Sequence, residues 1–567
     1  MIIEIRHDAL SKMNHMCKRI CVGSSTRLPG WMIREITEYL VDERHNLSLI
    51  SKEFSQYNWS FILTTPNRLE IVREHTHPKR RILLKKGDYY GQSTICLERV
   101  QCLLDNALED CTGLVSVILP QGLISIGDGA FCGCESLKHI TIPNSVTHIG
   151  NEAFHNCISL ISLTIPNSVT SIGIYAFHNC YNLRSITLSN NLTSIGGHAF
   201  HNCSSLTSVS IPMGVLSIGN SAFSGCTRLT NVSIPDSVTS IRHYAFCGCE
   251  SLVSVNIPNS VVSFGMNVFD DCRSLTNVNL SQNLTSFGKS AFAGCTHLTD
   301  VTFPSRVTSI GIYAFCECVH LITVHLPDRV TSIKDYAFCG CERLTSITLP
   351  SNLTQIDEYA FENCISLVTI HIPNSVTSIG GNVFDGCRHL KHVTLPDSMT
   401  SVAAYLFDGC TSLTSIDIPN GVTSIGDNAF NNCTSLTSVT IPNNVESIGN
   451  DAFNGCIHLT SVHLPNSLNS IGTFAFYCCK QLTSITIPHG VTLIPNYAFY
   501  GCASLTSVTI PYGVTWIGVH AFNGCSSLTR ITIPDSVTSI GNKAFHHTNM
   551  PSITLPFSVT TCIGGIL

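Results

Sequence analysis

The sequence predicts an α/β-type repeat solenoid with a parallel β-sheet over residues 95–567, preceded by a small, mainly helical unit over residues 1–94. Three observations carry this. A cysteine recurs every 23 residues from Cys111 to Cys525 without insertion or deletion, a leucine stands three residues after each of these cysteines, and both patterns are missing from the first hundred residues. A fixed period of this length marks stacked coils that bury a shared core. With 12% charged and 44% hydrophobic residues, the chain has the apolar material such a core needs and is not composed like a disordered one.

The N-terminal unit has a composition of its own: two of the three tryptophans, Trp31 and Trp59, lie in it. Met32, Ile33, Ile36 and Leu40 fall at helical spacing after Pro29, a good first-turn residue, and predict one helix. A second short helix is predicted over 47–57. The stretch resembles an F-box on Leu28, Pro29, Ile36, Tyr39, Leu40, Leu49, Ile50, Ser51, Phe54 and Trp59, and departs from it at Gly30 and Trp31, where an acidic pair is usual. That resemblance implies docking onto a Skp-type adaptor of a cullin ubiquitin ligase through Leu28, Pro29, Ile36, Leu40, Leu49 and Phe54. The competing reading is a helical cap that shields the first coil. The basic run from Pro78 to Lys86 reads as a solvated linker or as a nuclear address.

Val100, Leu103, Ala107 and Leu108 then fit a degenerate first coil. With each periodic cysteine set as position 0, the consensus that follows is C-x-x-L-T-S-V-T-I-P-x-x-V-T-S-I-G-x-x-A-F-x-x. The run L-x-x-V-x-I-P alternates as a short strand with Leu at +3, Val at +6 and Ile at +8 facing inward, and Pro at +9 ends it because proline cannot donate to a ladder. The second half, V-x-x-I-G-x-x-A-F-x-x-C, has spacing nearer a turn of helix and returns the chain across the opposite side. Gly at +16 is replaced by Arg242, Lys334, Asp357, Ala403 and Pro495 in other coils. Because proline holds φ near −65°, the position does not demand a left-handed backbone, and substitution there is expected to be mild. At the far end Thr548 replaces the periodic cysteine, one residue is missing before Pro556, and Cys562 falls where isoleucine is usual, as in a terminal capping coil.

These coils, quoted as Q-L-T-S-I-T-I-P-H-G-V-T-L-I-P-N-Y-A-F-Y-G-C over residues 481–502, resemble the BspA-like family of leucine-rich repeats. The resemblance implies a right-handed, curved leucine-rich-repeat array of about 20 coils that serves binding. Such arrays occur on the surfaces of bacteria and protozoa and in intracellular eukaryotic proteins, and the resemblance implies no enzymatic activity.

Three columns could carry chemistry. The cysteines, with the C-x-C pairs Cys132/Cys134, Cys247/Cys249, Cys316/Cys318 and Cys339/Cys341, suit metal ligation or a ladder of buried thiols. In-register neighbours lie about 4.8 Å apart, whereas bridged Cβ atoms want roughly 3.8 Å, so regular disulfides between coils are not expected. His155, His178 and His201 share position +21 of three consecutive coils, which reads either as a transition-metal column or as a solvated loop column; no metal or cofactor is expected. The third column is the strand face, where +4, +5 and +7 are mostly Thr or Ser. Selective partner contacts are expected where that monotony breaks, at Lys138, His139, Arg184, Asn277, Asn279, Asp300, His325, His371, Lys391, His392, Asp417, His463 and Arg530.

No nucleophile elbow, phosphate loop or H-E-x-x-H occurs, and acidic residues such as Asp270 and Asp408 read as scattered solvent-facing positions. Residues 1–99 hold 16 Lys and Arg against 11 Asp and Glu, and residues 100–567 hold 15 against 26. A repeat region that is net −11 repels phosphate backbones, so the expected partner is a protein and not a nucleic acid. Neither a signal-peptide-like apolar run nor a stretch of 18 apolar residues is present, which predicts a cytoplasmic or nuclear protein without a membrane span. The expected function is therefore a non-enzymatic, macromolecule-binding scaffold, with a ubiquitin-ligase substrate receptor as its finer form and a surface adhesin as the alternative.

Overall fold

The computed structural model describes residues 59–65, 68–73, 93–97 and 100–562. They fall in two compact units, 1–229 and 230–567. The predicted helices over 29–40 and 47–57, the F-box-like residues Leu28 to Phe54 and the basic run lie outside the described residues. Where a mainly helical unit was expected, strand β1 (Trp59–Thr65) pairs antiparallel with β2 (Arg68–Arg73), Phe61 opposite Ile71 and Leu63 opposite Leu69. The β-branched and aromatic content of W-S-F-I-L-T-T and R-L-E-I-V-R suits a strand pair.

Each unit is built as a parallel β-solenoid of 23-residue coils, and no α-helix occurs among the described residues. Most coils contribute two short strands; the first is absent at 300–302 and 530–532. The first, at +5 to +7, shows the predicted alternation: in Ser162–Thr164 and Ser185–Thr187 only Leu163 and Ile186 are buried. The second, at +14 and +15, was not anticipated. In the first unit it runs from Cys102–Leu103 through Ser125–Ile126, His148–Ile149, Ser171–Ile172 and Ser194–Ile195 to Ser217–Ile218 as one ladder. Partners are 23 residues apart, Ser171 with Ser194 and Ile172 with Ile195.

The helical reading of the second half of the coil is corrected by its backbone hydrogen bonds. Residues at +18 and +22 are left-handed, as at Glu152 (φ 54°) and Asn156 (φ 58°). The N–H groups of Glu152, Phe154 and Asn156 consequently point along the stack and donate to Ile174, Ala176 and His178 of the next coil at 2.7–2.9 Å. An α-helix would turn those donors onto its own axis and leave the coils unjoined. Glycine or asparagine supplies most +22 positions, Gly133 and Asn179 among them, because both tolerate this conformation.

Inside the coils the Leu at +3, the small or aliphatic residue at +19, the Phe at +20 and, from Cys134 onward, the Cys at 0 are buried. The phenylalanines stack face to face, 5.1 Å apart from Phe131 to Phe154 in the first unit and 5.6 Å from Phe338 to Phe361 in the second. Burying one such ring contributes about 2–3 kcal/mol. Around Phe264, Phe287 and Phe303, where phenylalanine stands in isoleucine's place, edge-on rings join the column. The bulkier rings coincide with thinning of the second ladder to single bridges between Ser263, Ser286 and Ser309.

The coils at both ends pair one residue short of the 23-residue interval. Val100, Leu103, Ala107 and Leu108 are buried, and the first strand pairs at an interval of 22, Thr94 with Ser116. At the other end Ser539 pairs with Thr561 and Ile540 with Cys562, again one residue short. Gly at +16 is not left-handed, as expected, but it is not freely replaceable. A Cβ on Gly127 would lie 2.6 Å from the Leu104 carbonyl carbon, and one on Gly288 would press on the Gly265 carbonyl oxygen. Glycine is favoured there because adjacent backbones touch.

Candidate binding surface

Strand alternation fixes what each unit presents. With +6 and +8 turned inward, +4, +5 and +7 form the outward strip. All thirteen residues predicted to interrupt the Thr/Ser pattern are exposed: Lys138, His139 and Arg184 on the first unit, and Asn277, Asn279, Asp300, His325, His371, Lys391, His392, Asp417, His463 and Arg530 on the second. In-register pairing brings some of them together. Thr369 faces His392 and His371 faces Thr394 on adjacent strands, so His371, Lys391 and His392 share one patch. Along the +7 column of the second unit His325, His371, Asp417 and His463 recur every 46 residues, with Thr348, Thr394 and Thr440 between them. Two coils correspond to roughly 9.6 Å.

The threonines beside them are less available than a free hydroxyl lattice would be. At +4, Thr276, Thr345, Thr437, Thr460, Thr483 and Thr506 each donate their hydroxyl to the +4 carbonyl of the preceding coil at 3.1–3.2 Å. A second hydroxyl column at +13 does the same, Thr331 to Thr308 at 3.3 Å and Thr354 to Thr331 at 2.9 Å. These contacts fasten coils to one another. The repetition of Thr at both positions was the signal for them.

The cysteine column is a buried ladder. Periodic thiols donate to a carbonyl of the coil before them, as from Cys157 to Phe131 at 3.2 Å and from Cys433 to Phe407 at 3.2 Å. Burial pushes the Cys433 thiol well above its ordinary range, helped by the neighbouring Cys456.

The +21 column is half-buried, not solvated. The His155, His178 and His201 rings stand 4.8 and 4.9 Å apart in sequence. Burial, then the charges of His155, His201 and His198, holds His178 down at about 4, and burial lowers His201 as well. The Nδ1 atoms of His178 and His201 are buried without a hydrogen-bond partner. Further along, Glu362, Asp385 and Asp408 occupy the same position of three consecutive coils, half-buried and not solvent-facing as expected, and burial raises all three carboxyls. A convergent ligand set also forms in this column. The Cys132 thiol, the Glu152 carboxylate and the His155 imidazole bring their ligand atoms within 4.8 Å of one another. Cys132 and His155 were singled out from sequence; Glu152 was not, because it is 20 residues from Cys132 and off the 23-residue register.

The aromatic side chains at +18 were likewise not anticipated. Tyr313, Tyr336 and Tyr359 stack at 4.6 and 4.5 Å. Among the described residues no helix is long and apolar enough to cross a membrane.

The family model described as the BspA type leucine rich repeat region, in six copies, matches residues 103–230, 216–345, 331–460 and 446–564. Among solved structures, a leucine-rich repeat protein from Bacteroides ovatus is 29% identical over 66% of this chain and 88% of its own, with a TM-score of 0.49. A leucine rich cell surface protein from Faecalibacterium prausnitzii is 27% identical over 73% of this chain and 93% of its own, with a TM-score of 0.34. The leucine rich repeat protein of T. pallidum is 28% identical over 38% and 91% of the two chains, with a TM-score of 0.28. No curated protein matches the chain.

Proposed function

Since the chain belongs to the BspA-type leucine-rich-repeat family, we propose that it is a non-enzymatic scaffold that binds a protein partner through the strand face. The observation that carries this reading is the exposure of all thirteen irregular residues on a strip whose +4 threonines are committed to joining coils while +5 and +7 are not. Specificity then rests on the patches that differ, above all His371, Lys391 and His392 with Asp417 two strands away from His371. Such mixed-sign groups set partner choice and orientation more than raw affinity. Affinity capture with the full chain is the test. A partner retained by wild type and lost from the Lys391→Ala, His392→Ala, Asp417→Ala variant, at unchanged thermal stability, is the expected result. Equal capture by both proteins would reject this face as the binding surface.

The finer form of the reading is a substrate receptor of a cullin ubiquitin ligase, supported by the F-box-like residues Leu28, Pro29, Ile36, Leu40, Leu49 and Phe54, in a cytoplasmic or nuclear protein. Co-purification of the full chain with a Skp-type adaptor tests it, and Leu40→Asp should abolish the association; no association of wild type retires it. The alternative, an adhesin, uses the same strip at a cell surface, and surface labelling of intact cells separates the two.

A further inference from the structure

We propose that Cys132, Glu152 and His155 form a zinc-type metal site that clamps two successive coils of the first unit. Cys132 stands at +21 of one coil; Glu152 and His155 stand at +18 and +21 of the next. The turn that joins Glu152 to His155, closed by a 2.9 Å hydrogen bond from the His155 N–H to the Glu152 carbonyl, puts both side chains on the side facing Cys132. Cys132 Sγ lies 3.8 Å from His155 Nδ1, and His155 Nδ1 lies 3.8 Å from Glu152 Oε2.

Those separations are near the edges of a tetrahedron. With bonds of about 2.3 Å to sulfur and about 2.0–2.1 Å to nitrogen and oxygen, ligand atoms sit roughly 3.3–3.6 Å apart. The two edges to His155 need to close by a few tenths of an ångström; the Cys132–Glu152 edge, within 4.8 Å, needs up to about 1.3 Å, and Glu152, whose side chain is 53% exposed, is free to supply it. Thiolate, imidazole and carboxylate together select a borderline-soft divalent ion and not magnesium or calcium. Three protein ligands leave a fourth position for water. Beside the cluster, the ring of His178 lies 4.8 Å from that of His155, and its buried Nδ1 has no partner. On binding, Cys132 gives up its thiol proton to solvent, while the carboxylate and the neutral imidazole coordinate without further change.

The rest of the column shows why this coil is distinctive. Cys339 approaches Glu362 at 3.3 Å, but the +18 residue beside Glu362 is Tyr359. Cys247 faces Asp270 at 4.0 Å, with Asn267 at +18. In neither place does the +18 residue add a carboxylate next to an imidazole.

The experiment uses the full chain, reduced, stripped with chelator and titrated with Co2+ followed by Zn2+. One equivalent of Co2+ should produce a thiolate-to-metal charge-transfer band with tetrahedral visible bands, and Zn2+ should displace it and raise the melting temperature. Cys132→Ser should abolish the charge-transfer band. Glu152→Gln, an exposed and conservative change, should keep the fold and weaken affinity about 10-fold or more. The proposal is overturned if wild type takes up no ion, if both variants bind as wild type does, or if the band disappears with Cys316→Ser instead.

Discussion

Replacement of Cys433 by alanine separates a packing role for the cysteine column from a reactive one. Cys433 is fully buried, and its thiol donates to the Phe407 carbonyl at 3.2 Å. That oxygen also accepts from the Cys410 N–H at 3.2 Å, so deleting the thiol leaves no orphaned carbonyl. The loss is then one buried sulfur, worth about 1 kcal/mol by transfer, plus a small cavity and a weak hydrogen bond, for a total of about 1.5–2 kcal/mol. Valine adds a branched carbon to a filled column and should cost about 1–3 kcal/mol by overpacking. Because coils touch mainly their neighbours, the loss should concentrate locally. Hydrogen exchange of the amides over 410–456, read beside denaturant unfolding, is the appropriate measurement. Alkylation gives a second readout: with thiolate formation suppressed by burial, Cys433 should label only on unfolding, whereas exposed Cys96 should label in the native chain. An alanine variant as stable as wild type, or native labelling of Cys433 as fast as that of Cys96, would refute the packing account.

Gly288→Ala should destabilise by about 2–3 kcal/mol, because the new Cβ meets the Gly265 carbonyl, while Gly113→Ala, with nothing within 4 Å, should fall within about 0.5 kcal/mol of wild type in the same melts. Thr437→Val should cost about 0.5–1 kcal/mol through loss of the hydroxyl bond to Thr414, read as faster exchange of neighbouring amides. Asp408 is raised from 3.8 to about 6, chiefly by burial and then by Asp385, against the hydrogen bond from Asn431. The folded chain therefore holds that proton more tightly than the unfolded one, so stability falls as pH rises from about 4 through 6 and levels off above. The full shift corresponds to about 3 kcal/mol, and for a half-exposed carboxyl screening reduces this to about 1 kcal/mol; Asp408→Asn should flatten the dependence of the urea midpoint over that range.

How far the fold was legible depended on whether a residue's environment lies within its own coil. Leu at +3, Val at +6 and Ile at +8 declare a half-buried strand by alternation alone, and the caps were visible as residues missing from a strict count. The spacing A-F-x-x-C, by contrast, fits one helical turn as well as it fits the observed ribbon. What decides between them is the direction of the N–H groups of Glu152, Phe154 and Asn156, which bond to the next coil. The sequence trace of that choice is the Gly or Asn before most of the cysteines, a left-handed signal at +22 that Gly at +16 does not share. At +16 the error ran the other way: the backbone conformation was foreseen and the contact with the preceding coil was not. Glu152 was missed for a related reason. Columns read at an interval of 23 find His155 above Cys132, but a side chain three residues earlier in the same turn reaches the same point from a different register.

The same distinction sorts the surface into residues that hold the stack and residues left over for recognition. A threonine at +4 or +13 looks like a free hydroxyl in one coil, yet its proton is given to the preceding coil, so its repetition reflects assembly and cannot encode a partner. Positions +5 and +7 carry no such bond in most coils, and ten of the thirteen irregular residues stand there, His139, Asn277, Asp300, His392 and Arg530 at +5 and Asn279, His325, His371, Asp417 and His463 at +7, while Lys138, Arg184 and Lys391 stand at +4. Exposed positions that hold no neighbour are free to vary, whereas +3 and +20 are uniform because they are buried. Within that variety, the two-coil recurrence of His325, His371, Asp417 and His463 is the regular feature that the proposed binding face would present to a partner.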